Sequence, residues 1–277
     1  MRQVTPRFLA VCGVFLLAQG LLAQTPPLPT QPPEAQDPAE RVLREVDARI
    51  HCPRLEGMKD VSFLWQLEGT GPFQALSNIW IKYAWKAPAK VRMEYVHADG
   101  TPLETFPEFA KTPQGEALFK HLERQLHGMA QTLVIGMPLQ VIYKDYYKEV
   151  KTREVNHKVE YRLVLRPKAK KAFTRVEIRI RDGLPREFIK TDAKGRVMTS
   201  RFRFEKRGKK WLVTGMKVEQ GGQLLMDESY HYVLKKGLLV LQEIERGVLR
   251  GEKRKVKVRL EDLRVNQGLK DSDFEQS

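Results

Sequence analysis

Between Lys158 and Glu219 the chain alternates apolar and charged side chains through four or five short runs, each closed by a turn signal. Val159, Tyr161, Leu163 and Leu165 alternate with Glu160, Arg162 and Arg166. Thr174, Val176, Ile178 and Ile180 alternate with Arg175, Glu177 and Arg179. Successive side chains of a strand point to opposite faces, so this period places apolar groups on one face and charges on the other. Asp182-Gly183, the stretch from Asp192 to Gly195, Gly208 and Gly221-Gly222 stand where antiparallel hairpins need their turns. The stretch therefore specifies an antiparallel sheet with one wet, basic face and one dry face. What covers the dry face is the functional question.

The two ends of the chain are of a different kind. Residues 1–23 begin with Arg2 and Arg7, continue through the largely apolar Phe8 to Leu22, and reach Ala23, the form of a secretory signal peptide. Residues 24–36 hold Pro26, Pro27, Pro29, Pro32 and Pro33 and read as an extended linker. One β-rich domain is expected over 37–270, with a polar tail at 271–277 whose one apolar anchor is Phe274. Beyond the signal only Cys52 remains, so no internal disulfide can form, and a buried thiol just after a helix is expected there. The formal charge is +15, of which the signal contributes Arg2 and Arg7. Such a charge draws a protein toward anionic surfaces. For a secreted protein that means anionic lipid or an envelope polymer, with no role expected for nucleic acid.

The remaining elements follow from periodicity. Asp37-Pro38 caps and starts a helix whose Val42, Leu43, Val46 and Ile50 share a face, and Pro53 ends it. Val61, Phe63, Trp65 and Leu67 mark a first strand, with Gly69 to Pro72 as its turn. Ile79, Ile81, Tyr83 and Trp85 mark a second strand; Val91, Met93 and Tyr95 mark a third. The period then lengthens: Leu118, Leu122, Leu126, Met129 and Leu133 recur every three or four residues after Thr112-Pro113. This helix interrupts a run of strands and is expected to lie across the dry face. Glu228 to Leu234, Leu238 to Glu245 and the alternation through Val256, Val258 and Leu260 add further strands.

The inventory for catalysis is poor. The six histidines are scattered, with no HExxH or CxxC spacing, no GxSxG elbow and no phosphate-cradling glycine loop. We expect no metal, no cofactor and no enzyme, although a hydrolase of an envelope polymer built from distant carboxylates stays open. The apolar inventory is richer. Phe63, Trp65, Ile79, Ile81, Tyr83, Val91 and Met93 make one wide apolar surface with the inward groups of the central strands, Val176 and Ile178 among them. Periodicity leaves two outcomes: a face filled by the helices, or a curved sheet with a dry cavity.

Several stretches together resemble the outer-membrane lipoprotein carrier superfamily, the LolA/LolB-like fold. They are the helix followed by the Val61–Leu67 strand, Ile79-Trp80-Ile81-Lys82, the run from Lys86 through Pro88 to Tyr95, Tyr161 to Pro167, and Ile178 to Gly195. The likeness covers about 37 to 270 and lies mainly in the order of the motifs. It implies an α+β fold: a curved antiparallel sheet forming an incomplete β-barrel covered by helices. It further implies a periplasmic, non-catalytic carrier whose apolar cavity takes lipid or lipoprotein acyl chains. The cavity would be lined by the apolar surface named above, with Leu118, Leu122, Leu126 and Met129 from the cover. Lys82, Lys86, Lys90 and Arg92 would meet headgroups and an anionic membrane surface. The alternative is an envelope scaffold or sensor that binds another protein through its sheet edge or basic face.

Overall fold

The computed structural model of the protein describes residues 37–66, 78–104, 111–155, 157–248 and 254–275. The expected signal peptide, linker, Leu67 and the turn at Gly69 to Pro72 lie outside the described residues, as do the side chains of Leu118 and Val256.

Twelve strands form one antiparallel sheet: β1 (Asp60–Gln66), β2 (Trp80–Lys86), β3 (Lys90–Val96), β4 (Tyr146–Val155), β5 (Lys158–Pro167), β6 (Phe173–Arg181), β7 (Leu184–Asp192), β8 (Val197–Arg207), β9 (Lys210–Gln220), β10 (Gln223–Lys235), β11 (Leu238–Val248) and β12 (Arg254–Val265). The strand order is β3-β2-β1-β12-β11-β10-β9-β8-β7-β6-β5-β4. The chain thus runs as a meander from β4 to β12 and joins β12 to β1, leaving β3 and β4 as the two edges. Register shifts at Arg179/Ile180, Arg203/Phe204, Leu224/Met226 and His231/Tyr232 mark bulges, and bulges bend and twist a sheet. Asp182 and Gly183 both adopt positive φ, 54° and 74°, as a two-residue hairpin turn requires.

The sheet is an open half-barrel with helices on its inner face. Helix α1 (Pro38–Arg49) starts at Asp37, whose side chain accepts from the Ala39 amide. It lays Ala39, Val42, Leu43 and Val46 against Leu163, Leu165, Val176, Ile178, Ile180 and Phe188 of β5–β7. Helix α2 (Pro113–Met129) is capped by Thr112, and its last turn relaxes into a π turn over Ala130–Val134. With that turn it packs Leu126, Met129, Val134 and Ile135 against Phe63, Ile81, Tyr83 and Trp85 and the inward residues of β9–β12. Tyr83 and His127 hydrogen-bond across this contact at 3.1 Å, and Tyr95 donates to Glu123 at 2.8 Å. A four-residue helix, α3 (Leu139–Ile142), follows and leads into β4.

The outer face carries the charges as cross-strand ion pairs. Glu160 is buried beneath Arg153 and Arg181, while Glu177 accepts from Arg175 at 2.9 Å and Arg179 at 3.1 Å and pairs with Arg162 at 3.0 Å. The wet face is therefore less a bare basic surface than a set of arginines laid over carboxylates.

Candidate functional site

An apolar cleft of about 110 Å³ opens between the helical segments and the middle of the sheet. Its three walls come from separate parts of the chain. Asp47, Ile50, His51, Cys52 and Pro53 descend from the end of α1. Thr132 and Leu133 of the π turn, Gly136 to Leu139, Ile142 and Tyr143 form the second wall. Pro185, Phe188, Phe202, Phe204, Leu212, Val213 and Tyr232 rise from β7 to β10. A π turn inserts one residue into a helical turn and shifts the side chains that follow. Here Ala130, Gln131 and Val134 are buried, while the half-exposed Thr132 and Leu133 face the cleft. Phe188 and Phe202 meet edge to face, ring centres 5.1 Å apart. Phe202, Phe204, Ile142 and Tyr232 all keep part of their surface exposed, so the cleft reaches solvent.

Two stitches hold the walls. Asp47 is buried, and its carboxylate accepts from the amides of Leu139 at 2.7 Å and Gln140 at 3.1 Å. These are orphan donors at the start of α3. Burial pushes its pKa up to about 6, against the opposing pull of those two hydrogen bonds. Arg54 donates its amide to Ile135 at 2.9 Å, and the Cys52 thiol donates to the Gly136 carbonyl. Gly136 has φ of 67°, a conformation that favours glycine.

The polar groups of the cleft do not make a nucleophilic centre. Burial pushes the Cys52 thiol up to about 12, so it stays protonated. His51 is spent on structure: one ring nitrogen meets Glu56 at 2.8 Å and the other meets the Leu239 carbonyl at 2.7 Å. Among the described residues no group of three or more His, Cys, Asp or Glu could hold a metal ion. No helix among the described residues is long and apolar enough to cross a membrane.

The residues singled out from the sequence fall elsewhere. Phe63, Ile79, Ile81 and Tyr83 are buried with Leu126 and Met129 in the α2 cluster, and Trp65, Val91, Met93 and Leu122 pack half-buried around it. Those six buried residues are 0–3 % exposed. Val176 and Ile178 belong to the other cluster, beneath α1. The expected lining residues that are described thus belong to two hydrophobic clusters and are not among those lining this cleft. Of the four expected headgroup contacts, Lys82 is exposed on β2. Lys86 and Lys90 instead grip Asp271 at 2.8 and 2.9 Å, and Arg92 donates to the Asp273 carbonyl at 2.8 Å. The expected polar tail is accordingly a 3₁₀ turn, Asp271–Phe274, docked on β2 and β3. Hydrogen bonds from Lys86 and Lys90 hold the Asp271 carboxyl down at about 2.

Among solved structures, the chain is similar to the crystal structure of the LolA superfamily protein NE2245 from Nitrosomonas europaea, at 12% sequence identity and a TM-score of 0.39. The match covers 86% of this chain and 97% of that one. No family model matches the chain, and neither does any curated protein.

Two inner-face groups were not singled out from the sequence. Glu228 is fully buried on β10, receiving Arg246 at 2.7 Å and the Tyr230 hydroxyl at 2.8 Å. Lys190 on β7 is 2 % exposed. Phe188, two residues earlier, could have flagged Lys190, because i and i+2 share a face of a strand.

Proposed function

We propose that this protein binds single acyl chains between α1, residues 132–143 and β7–β9, and carries them through the cell envelope without catalysing a reaction. The observation that supports this reading is the cleft itself: an apolar, aromatic-walled hollow on the inner face of an open sheet.

Magnitudes constrain how it would work. A cavity of about 150 Å³ holds benzene, so 110 Å³ accommodates about four carbons. Four buried methylenes contribute roughly 3 kcal/mol, which is only millimolar binding. A chain of about a dozen carbons is worth on the order of 10 kcal/mol relative to water, and holding one requires α1 to part from the sheet. Val42, Leu43 and Val46 then leave β5–β7, and the chain takes their place, one apolar contact for another. The apolar start at residues 1–23 and the net positive charge fit an envelope setting with anionic lipid as a neighbour.

The test is titration of a fluorescent C12 fatty acid into the wild type and into Leu133→Trp, which fills the cleft. Micromolar binding that is lost in the variant supports the proposal. A wild type that does not bind the fatty acid refutes it.

A further inference from the structure

We propose that the amphiphile held in this cleft carries an anionic head, and that the side chain of Lys190 receives it; the inference rests on the acyl-binding reading and adds the chemistry of the other end of the ligand. Lys190 is 2 % exposed, and its Nζ has no hydrogen-bond partner. Buried charges in proteins are normally paired or neutralised. This protein follows that rule at other inner-face cations: Lys148 reaches Glu40 at 2.7 Å, and Arg246 reaches Glu228 at 2.7 Å. Lys190 lies between Val176 and Met198 on the neighbouring strands, and the Phe173 ring stands 5.3 Å from Nζ. All three are apolar. Burial lowers its pKa to about 7, so an anion arriving there would restore the full charge.

The placement relative to the cleft gives the lysine a use. Phe188 lines the cleft, and Lys190 is the next inward-facing residue of β7, about 7 Å further along. A chain seated against Phe188 and Phe202 that extends along β7 brings its head to Nζ. A methionine would fill the same position without desolvating an amine. The head can be the carboxylate of a fatty acid or the phosphate of a lysophospholipid; both accept hydrogen bonds from an ammonium.

The experiment is calorimetric titration of the full chain with dodecanoate, dodecyl phosphate and dodecanol, in the wild type and in Lys190→Met. The wild type is expected to bind the anions about 10- to 100-fold more tightly than the alcohol. Lys190→Met is expected to erase that preference, so that it binds the anions no more tightly than dodecanol. The better of the two anions identifies the source, carboxylate or phosphate. A preference that survives in Lys190→Met overturns the role of the lysine and leaves the acyl-binding reading standing. A wild type that takes up none of the three overturns both. Should the variant not fold, the ¹⁵Nζ shift of Lys190 in the wild type decides: it moves on adding dodecanoate and not dodecanol, and an unmoved shift overturns the proposal.

Discussion

Replacing Lys190 with methionine should stabilise this protein, and by an amount that depends on pH. The amine has an ordinary pKa of 10.5 in the unfolded chain and about 7 in the folded one, lowered by burial among apolar neighbours. Between those values the unfolded state holds a proton that the folded state has released. Folding stability therefore rises with pH through this window, by up to about 1.4 kcal/mol per unit. At pH 7 the lysine costs the wild type about 4 kcal/mol; at pH 9 the cost has fallen to about 2. Lys190→Met removes it, so the variant's advantage should shrink by about half between pH 7 and 9. Cys52 and the buried tyrosines titrate higher and in the opposite sense, since their pKa values are raised by burial. They are common to both proteins and cancel in the difference.

Urea unfolding of both proteins at pH 7, 8 and 9 measures this directly. With a slope of roughly 3 kcal/mol per molar, the midpoint at pH 7 should rise by about 1 M. A variant no more stable than the wild type, or an advantage that stays flat from pH 7 to 9, would refute the reasoning. Either result would mean that Nζ is solvated or paired.

Three further outcomes follow from the same geometry. Asp47 has an ordinary pKa of 3.8 and a folded value of about 6, so wild-type stability should fall as pH rises from 4 to 6; urea unfolding should show Asp47→Asn gaining roughly 2 kcal/mol on the wild type across that range. Gly136→Ala should cost roughly 2–4 kcal/mol in thermal or urea unfolding, because φ is 67° and the new Cβ would stand 2.6 Å from Pro53 Cδ; a neutral substitution would show that this junction is not tightly packed. Asp271→Asn removes the carboxylate shared by Lys86 and Lys90, and cosedimentation with phosphatidylserine vesicles should strengthen about five-fold; unchanged binding would mean that β2 and β3 do not face the membrane.

Much of the sheet was legible because its signals are local. Period-two alternation and the Asp-Gly and Gly-Gly turns mark β5 to β10 without help from the rest of the chain, as Asp37-Pro38 and Thr112-Pro113 mark the starts of α1 and α2. What sequence left open depended on partners far along the chain. The four-residue α3 is held by Asp47, 92 residues before Leu139. Glu160 and Glu177 lie on the charged face as alternation requires, yet they are buried, because arginines from neighbouring strands cover them. In β7 the bulge at Arg186 puts Pro185, Phe188 and Lys190 on the inner face, so strict alternation gave no clean signal for a buried amine. Whether an apolar face is hollow or filled is a question of volume, which periodicity does not carry.

The place of the hollow follows from widths. Strands lie about 4.8 Å apart and a helix with its side chains is about 10–12 Å across, so one helix covers two or three strands of a sheet. A twelve-stranded inner face cannot be closed by one of them. Helix α1 takes β5–β7, and α2 with its π turn takes the opposite half, each filling its own cluster. Between the two clusters, inward side chains of β7 to β10 at the cleft face the chain from Thr132 to Tyr143, which joins the π turn to α3. Large side chains of the sheet wall that gap: Phe188, Phe202 and Phe204. Lys190 lies on β7 two residues beyond the cleft-lining Phe188. A ligand entering beneath α2 would have to displace Phe63, Tyr83 and Leu126, each at most 2 % exposed. At the cleft it starts from a gap that already exists, and a full chain then displaces Val42, Leu43 and Val46 of α1.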